Sequence, residues 1–141
     1  MTQEDKQLLL KDLCARLPYG VRYKHLAWDD EHGEDYIAVK IYSINSDGYV
    51  KNCYDDETVY IDDVRPYLFP LSSMTDKQKV EYNSLRDLVP TEQQCEVGNL
   101  LGDFEFVDNW RSIDYLNANH FDYRDLIEKG LAIDATDKNI Y

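Results

Sequence analysis

The sequence predicts an α+β fold: an N-terminal helix, a small antiparallel sheet or SH3-like barrel, and C-terminal helices. Three observations predict it. Residues 2–17 place Leu9, Leu13 and Leu17 at i, i+4 and i+8, the helical period. Residues 21–69 switch to strict alternation, with turn residues between the runs. From Thr75 onward, capping signals and helical stripes return. A chain of 141 residues has the length of one ordinary domain. Its 43% hydrophobic and 13% aromatic content is enough for a packed core. We expect one domain over 1–141, with a helix over 1–18, a β-rich part over 20–70 and a mainly helical part over 75–133.

The first helix opens at Thr2, a good N-cap, with Glu4 and Asp5 at the positive end of the helix dipole. Leu10 and Cys14 flank the leucine stripe, and Asp5, Lys6, Lys11 and Asp12 fall largely on the other side. Pro18 stops the helix and Tyr19-Gly20 turns the chain. Val21, Tyr23 and His25 then alternate with Arg22, Lys24 and Leu26, and Asp29–Asp35 forms a polar loop. The clearest strand is Tyr36–Ile44, with Ile37, Val39 and Ile41 on one face and Tyr36, Ala38, Lys40 and Tyr42 on the other. Asn45-Ser46-Asp47-Gly48 is a hairpin signal, and Tyr49–Tyr54 returns as the partner strand. A turn at Asp55-Asp56-Glu57 leads to a short strand, Thr58–Ile61. Four strands joined by tight turns read as a meander, closed by Pro66 and Pro70 around an apolar plug of Tyr67, Leu68 and Phe69.

Thr75-x-x-Gln78 is a capping box for a second helix, with Val80, Leu85, Leu88 and Val89 as its stripe and Pro90 as its end. Residues 91–107 show no clear period, although Phe104 and Phe106 suit a short strand or a plug. Asp108 is placed to cap a segment with Trp110, Ile113 and Leu116 on one face, broken at 117–120. Asp122 is placed to cap a short helix through Leu126 and Ile127, with Gly130 just past its end.

Composition excludes several classes of function. Against 28 acids stand 15 bases, a net charge of −13 that opposes non-specific nucleic-acid binding. The excess runs through both halves of the chain, so no separate acidic tail exists. The longest apolar runs fall far short of the ~20 residues of a membrane span. The opening Met1-Thr2-Gln3-Glu4-Asp5 is unlike a signal peptide. Cys14, Cys53 and Cys95 are odd in number and widely spaced, which suits free thiols in a reducing cytoplasm, with Cys14 buried on its helix face.

Motifs for chemistry are sparse. Asn45-x-Asp47-Gly48 resembles the middle of an EF-hand loop, but the frame puts Lys51 at position nine and Tyr54 at position twelve, where oxygen donors are required. In the loop 29–35, Asp29, Asp30, Glu31, Glu34 and Asp35 surround His32. They suit either a hard cation or a solvated loop tip whose like charges repel. Asp62-Asp63 is equally open. His25, His32 and His120 fall in no His-x-x-x-His or Cys-His motif, and no Gly-x-Ser-x-Gly or glycine-rich phosphate loop occurs. His120, next to Phe121, Asp122, Tyr123 and Arg124, is either an imidazole beside a carboxylate or a helix-capping corner. No catalytic residue, metal ligand or cofactor is therefore assigned.

The tyrosine load is the most suggestive feature, with 12 Tyr against four Phe. Tyrosine combines apolar area with a hydroxyl and is favoured at interfaces. Tyr36, Tyr42, Tyr49 and Tyr54 are the candidate interaction surface, with a semi-buried sheet face as the plain structural alternative.

Three stretches carry a resemblance: Leu8–Val21, Val64–Thr75 and Phe121–Ile127. They resemble an uncharacterised family of small acidic proteins of gut Bacteroides genomes and their phages and prophages. That family has no assigned chemistry, so the resemblance implies a setting rather than a reaction: a cytoplasmic accessory protein of a bacterial or phage-infected cell. The leading expectation is a non-enzymatic protein-interaction or regulatory module whose acidic, Tyr-rich surface meets a basic partner protein, without direct nucleic-acid or membrane binding. A DNA mimic that inhibits a DNA-binding protein and a small metal-assisted enzyme are the alternatives.

Overall fold

The computed structural model describes residues 1–31, 33–55, 57–90 and 104–141. In chain order its elements are α1 (Gln3–Arg16), β1 (Arg22–Asp29), β2 (Gly33–Ile44), β3 (Tyr49–Asn52), β4 (Thr58–Tyr60), β5 (Tyr67–Pro70), α2 (Asp76–Leu85), β6 (Asp87–Pro90), β7 (Phe104–Val107), α3 (Trp110–Ala118), β8 (Phe121–Asp122) and β9 (Ile133–Asp134). Short 3₁₀ turns occupy Leu17–Tyr19, Ile61–Asp63 and Leu71–Ser73. This is an α+β fold. The chain divides into two units: Met1–Ser73 with Asn117–Tyr141, and Met74–Leu116.

In the first unit, α1 starts at Thr2, the N-cap that the sequence indicates, and the structure adds a capping box with Asp5. Thr2 Oγ1 accepts the Asp5 N–H at 3.0 Å, and the Asp5 carboxylate accepts the Thr2 N–H at 3.2 Å. Its buried stripe is Leu9, Asp12, Leu13 and Arg16. Two expectations are corrected here. Asp12, read as outward, is fully buried, and Cys14, read as buried, is exposed. Hydropathy assigns an acid to solvent, but Asp12 and Arg16 sit one turn apart and neutralise each other inside.

Strands β1 to β4 form the expected antiparallel meander in sequential order, curled into a half-barrel. Val21, Tyr23, His25 and Ala27 turn inward, as do Val39 and Ile41 of β2. The polar loop of 29–35 is shorter than expected, because Gly33, Glu34 and Asp35 already pair with Asp29, Trp28 and Ala27. The outer edge of β1 is met by the following chain, with the Lys24 N–H donating to the Arg65 carbonyl at 3.1 Å and Tyr23 bridging to Pro66. Leu9, Leu13, Val39, Ile41, Val50, Leu68 and Leu126 share one core.

The apolar plug 67–69 is in fact β5, the middle strand of a parallel sheet of order β8-β5-β9. The short helix expected after Asp122 is reduced to a capped turn. The Asp122 carboxylate accepts the N–H groups of Arg124, Leu126 and Ile127 at 3.3, 3.0 and 2.9 Å, and Gly130 closes the turn at φ 74°.

In the second unit, Thr75 and Gln78 form the expected capping box of α2. The helix ends at Leu85, earlier than expected, because Arg86 is extended at φ −80° and ψ 156°. Leu88 and Val89 therefore lie on β6, paired antiparallel with β7, which carries Phe104 and Phe106. The Arg86 guanidinium holds this corner: it donates to the Phe106 carbonyl at 2.9 Å and lies over the rings of Tyr82 and Phe106. The cap of α3 is Asn109 rather than Asp108. Asn109 Oδ1 accepts the N–H groups of Arg111 and Ser112, while Asp108 receives the Tyr82 and Ser112 hydroxyls. Of the stripe expected on one face, Leu116 is buried and Trp110 is exposed.

Glycine is required at the tip of the β2–β3 hairpin. Gly48 sits at φ 87°, and a Cβ there would lie 3.3 Å from Ile61 Cγ2. Gly33 has a similar φ of 74° but open space around it. We expect Gly33→Ala to cost about 1 kcal/mol from the left-handed backbone alone, and Gly48→Ala to cost clearly more, as read from urea unfolding midpoints. Equal losses would contradict the close packing at Gly48.

Candidate functional site

The alternation of β1 that buries Tyr23 also carries His25 inward, leaving it 5% exposed. A buried imidazole needs polar partners, and the end of β3 supplies them. Asn52 is fully buried. Its Oδ1 accepts the N–H groups of Tyr54 and Asp55, both at 2.9 Å, so it shapes the turn that follows. Its Nδ2 donates to the Tyr23 phenol oxygen at 3.0 Å. The same phenol lies 3.4 Å from His25 Nδ1. On the other side of the ring, His25 Nε2 is 3.0 Å from Asp55 Oδ2 and 3.5 Å from Glu57 Oε2. The hydrogen bond from His25 holds the Asp55 carboxyl below its ordinary value, whereas burial pushes the Tyr23 phenol up.

Asp55 and Glu57 also line a cleft of about 400 Å³, together with Leu26, Ala27, Trp28, Glu34 and Tyr54. Trp28 is 67% exposed and Tyr54 59% exposed. The cleft thus combines aromatic faces with three carboxylates, an arrangement that suits a cation. The Trp28 indole N–H donates to Asp30 at 3.2 Å, which helps to orient the ring.

The four candidate tyrosines are all exposed and stand at different points along the meander. Tyr54 lines the cleft, and Tyr36 lies across the strand pair from Leu26, another cleft residue. Lys24 stands over the Tyr36 ring at 4.4 Å, so its immediate neighbour is basic. Tyr42 follows Ile41, where a bulge separates the pairs Ile41–Asn52 and Ser43–Lys51. Tyr49 is at the other end of β3, packed on Tyr60. Of the loop 29–35, His32 lies outside the described residues. Cys95 does as well.

His120 sits in a capping corner after α3, with its backbone N–H donating to the Asn117 carbonyl at 3.2 Å. It turns the chain at φ 61° after α3 and stacks on Tyr141 with ring centroids 3.7 Å apart. The neighbouring Asp122 is engaged by backbone N–H groups. Burial, then the charges of Arg16 and Arg22, lower the His120 pKa to about 4. Arg16 belongs to a second polar cluster. It donates to Asp12 at 2.8 and 3.1 Å and to the Phe121 carbonyl at 2.6 Å, while Arg124 donates to Asp12 at 2.6 Å. This cluster joins α1 to β8 and to the turn that follows it.

Sequence reasoning noted His25 as one of three histidines but did not connect it to Asn52, Asp55 or Glu57. The available signal was a histidine in phase with Val21 and Tyr23 on an otherwise apolar strand face. Its carboxylate partners lie thirty residues away, and only the curl of the sheet brings them together.

No protein-family model, curated protein or solved structure matches this chain. Among the described residues, no helix is long and apolar enough to cross a membrane.

The low His120 pKa links protonation to folding. The unfolded imidazole takes up a proton near pH 6.5 and the folded one only near pH 4, so stability falls as pH drops through that window. We expect up to about 3 kcal/mol of pH-dependent stability from this group. His120→Gln should flatten the pH dependence of the urea midpoint between those limits, and an NMR titration should place the wild-type imidazole near 4. A His120 that titrates near 6.5 would contradict its burial among cations.

Proposed function

We propose that this protein is a non-enzymatic interaction module whose cleft on the curled sheet receives a basic side chain of a partner protein. The observation that carries this reading is the lining itself: Trp28, Tyr54 and Leu26 beside Glu34, Asp55 and Glu57. An ammonium or guanidinium group entering there meets aromatic faces and carboxylates together. Leu26, Trp28 and Tyr36 extend the apolar contact outward on the strand pair β1–β2, where all three are exposed. Exposed aromatics around a charged anchor are the composition of binding hot spots. The net charge of −13 would speed the encounter with a basic surface. In this reading the candidate surface contracts from four tyrosines to Tyr54 and Tyr36, centred on Trp28. The setting suggested by the sequence resemblance is the cytoplasm of a bacterial or phage-infected cell. The DNA-mimic alternative has less support, because Arg22 stands opposite Lys40 and Lys24 covers Tyr36 on the outer face of the same strands.

A direct test is NMR titration of the full chain with a hexalysine peptide, using hexaglutamate as control. We expect the largest shifts at the Trp28 indole N–H and the amides of Glu34 and Tyr54, suppressed by added salt. Trp28→Ala should weaken the complex by at least tenfold. Small shifts spread evenly over the acidic surface, insensitive to Trp28→Ala, would overturn the reading.

A further inference from the structure

We propose that His25, Asp55 and Glu57 form a binding site for one divalent first-row transition ion, of which Zn²⁺ is the test case. The three side chains offer one nitrogen and two carboxylate oxygens, all within 4.8 Å of one another. The separations of 3.0 Å and 3.5 Å from Nε2 to the two oxygens bracket the edge of a tetrahedral zinc site. That edge is about 3.3 Å when metal–ligand bonds are about 2.0–2.1 Å. One imidazole with two carboxylates is a donor set for zinc, manganese or iron rather than for calcium, which takes oxygen alone.

The surroundings are those of a built metal site. A ligating histidine is usually fixed through its second nitrogen, and here Nδ1 faces the Tyr23 phenol. Asn52 holds both ends of the arrangement, bonding the Tyr23 oxygen with its amide and the Asp55 backbone N–H with its carbonyl. Asp55 in turn accepts the Glu57 N–H at 3.0 Å, which fixes the relative placement of the two carboxylates. The imidazole is buried while Glu57 is largely exposed, so an ion can enter from the cleft. In the metal-free state one arrangement satisfies every group: the phenol hydrogen goes to Nδ1, and Nε2–H donates to Asp55. An ion at Nε2 takes the place of that proton, which passes to Nδ1, so the ring stays neutral and no net proton is released. The ring then carries its hydrogen on Nδ1 and donates it to the Tyr23 oxygen, so the hydrogen bond reverses direction. Two of the ligands, Asp55 and Glu57, line the cleft, which would supply water to complete the coordination. Asp55 and Glu57 also serve the proposed docking cleft, so an ion there and a basic side chain would exclude each other. The metal site itself does not depend on the docking reading.

The test is calorimetric titration of the metal-free full chain with Zn²⁺, without peptide, together with NMR of the histidine ring nitrogens. We expect one ion per chain and a His25 signal that moves from the Nε2–H to the Nδ1–H form with Nε2 bound. Glu57→Gln, at an exposed position, should weaken binding at least tenfold without altering the fold, and His25→Gln should remove the saturable site. Adding Zn²⁺ should also abolish the hexalysine shifts at Trp28 if both readings hold. Binding that survives Glu57→Gln unchanged, or that leaves the His25 nitrogens unmoved, would overturn the metal site. So would the lack of any saturable uptake. Hexalysine binding at Trp28 in a chain that takes up no Zn²⁺ would overturn the metal site alone. Zn²⁺ uptake without hexalysine binding would overturn only the docking reading.

Discussion

A single buried carboxylate holds the first unit together. Asp12 is fully enclosed and accepts from two guanidinium groups, Arg16 on its own helix and Arg124 more than a hundred residues later. Arg16 passes the connection on by donating to the Phe121 carbonyl, so α1 is tied to β8, and β8 pairs with β5. Removing one partner from such a cluster leaves an uncompensated buried charge, which typically costs about 3–5 kcal/mol. Apolar residues could fill the same space with no such risk. The polar solution instead ties the C-terminal segment to α1 at particular residues, Phe121 and Arg124. Tyr141 repeats the principle on a smaller scale, accepting the Arg22 N–H and donating to the Tyr67 carbonyl.

The cleft depends on the same logic of polar groups placed inside. With α1 packed beneath the curled sheet through Leu9 and Leu13, β1 is held with Tyr23 inward, and Tyr23 is the link between Asn52 and His25. Asn52 then turns the chain so that Asp55 and Glu57 face the imidazole. Buried polar residues do two jobs in this unit. Asp12 and Arg16 fix how distant segments dock, and Asn52 and His25 fix how a surface loop presents its charges.

Much of the fold was legible in the sequence because its signals were local. The N-cap at Thr2, the capping box at Thr75, the alternation from Tyr36 to Ile44 and the Asn45–Gly48 hairpin each depend on neighbours within a few residues. The misreadings share the opposite property. Cys14 was placed inside and Asp12 outside because the pairing of Asp12 with Arg124 is long-range. The segment 67–69 read as a plug because its strand partners are only two residues long and come from elsewhere in the chain. Leu88 and Val89 continued a helical stripe on paper, yet pairing with β7 drew them into a strand. The exposure of the four tyrosines agreed with a surface role, but their grouping was not legible, since it depends on the register between strands. His25 was visible as an odd polar residue on an apolar face, and only the curl of the sheet gives it carboxylate neighbours.

The Asp12 cluster is the joint that seats the C-terminal segment on α1. Native-state hydrogen exchange of Asp12→Asn against the wild type tests it most directly. The amides of Leu126, Ile127, Leu131 and Ala132 should lose protection together, while the β1–β2 pair around Val39 stays protected. Unchanged protection of the C-terminal amides in Asp12→Asn would contradict it.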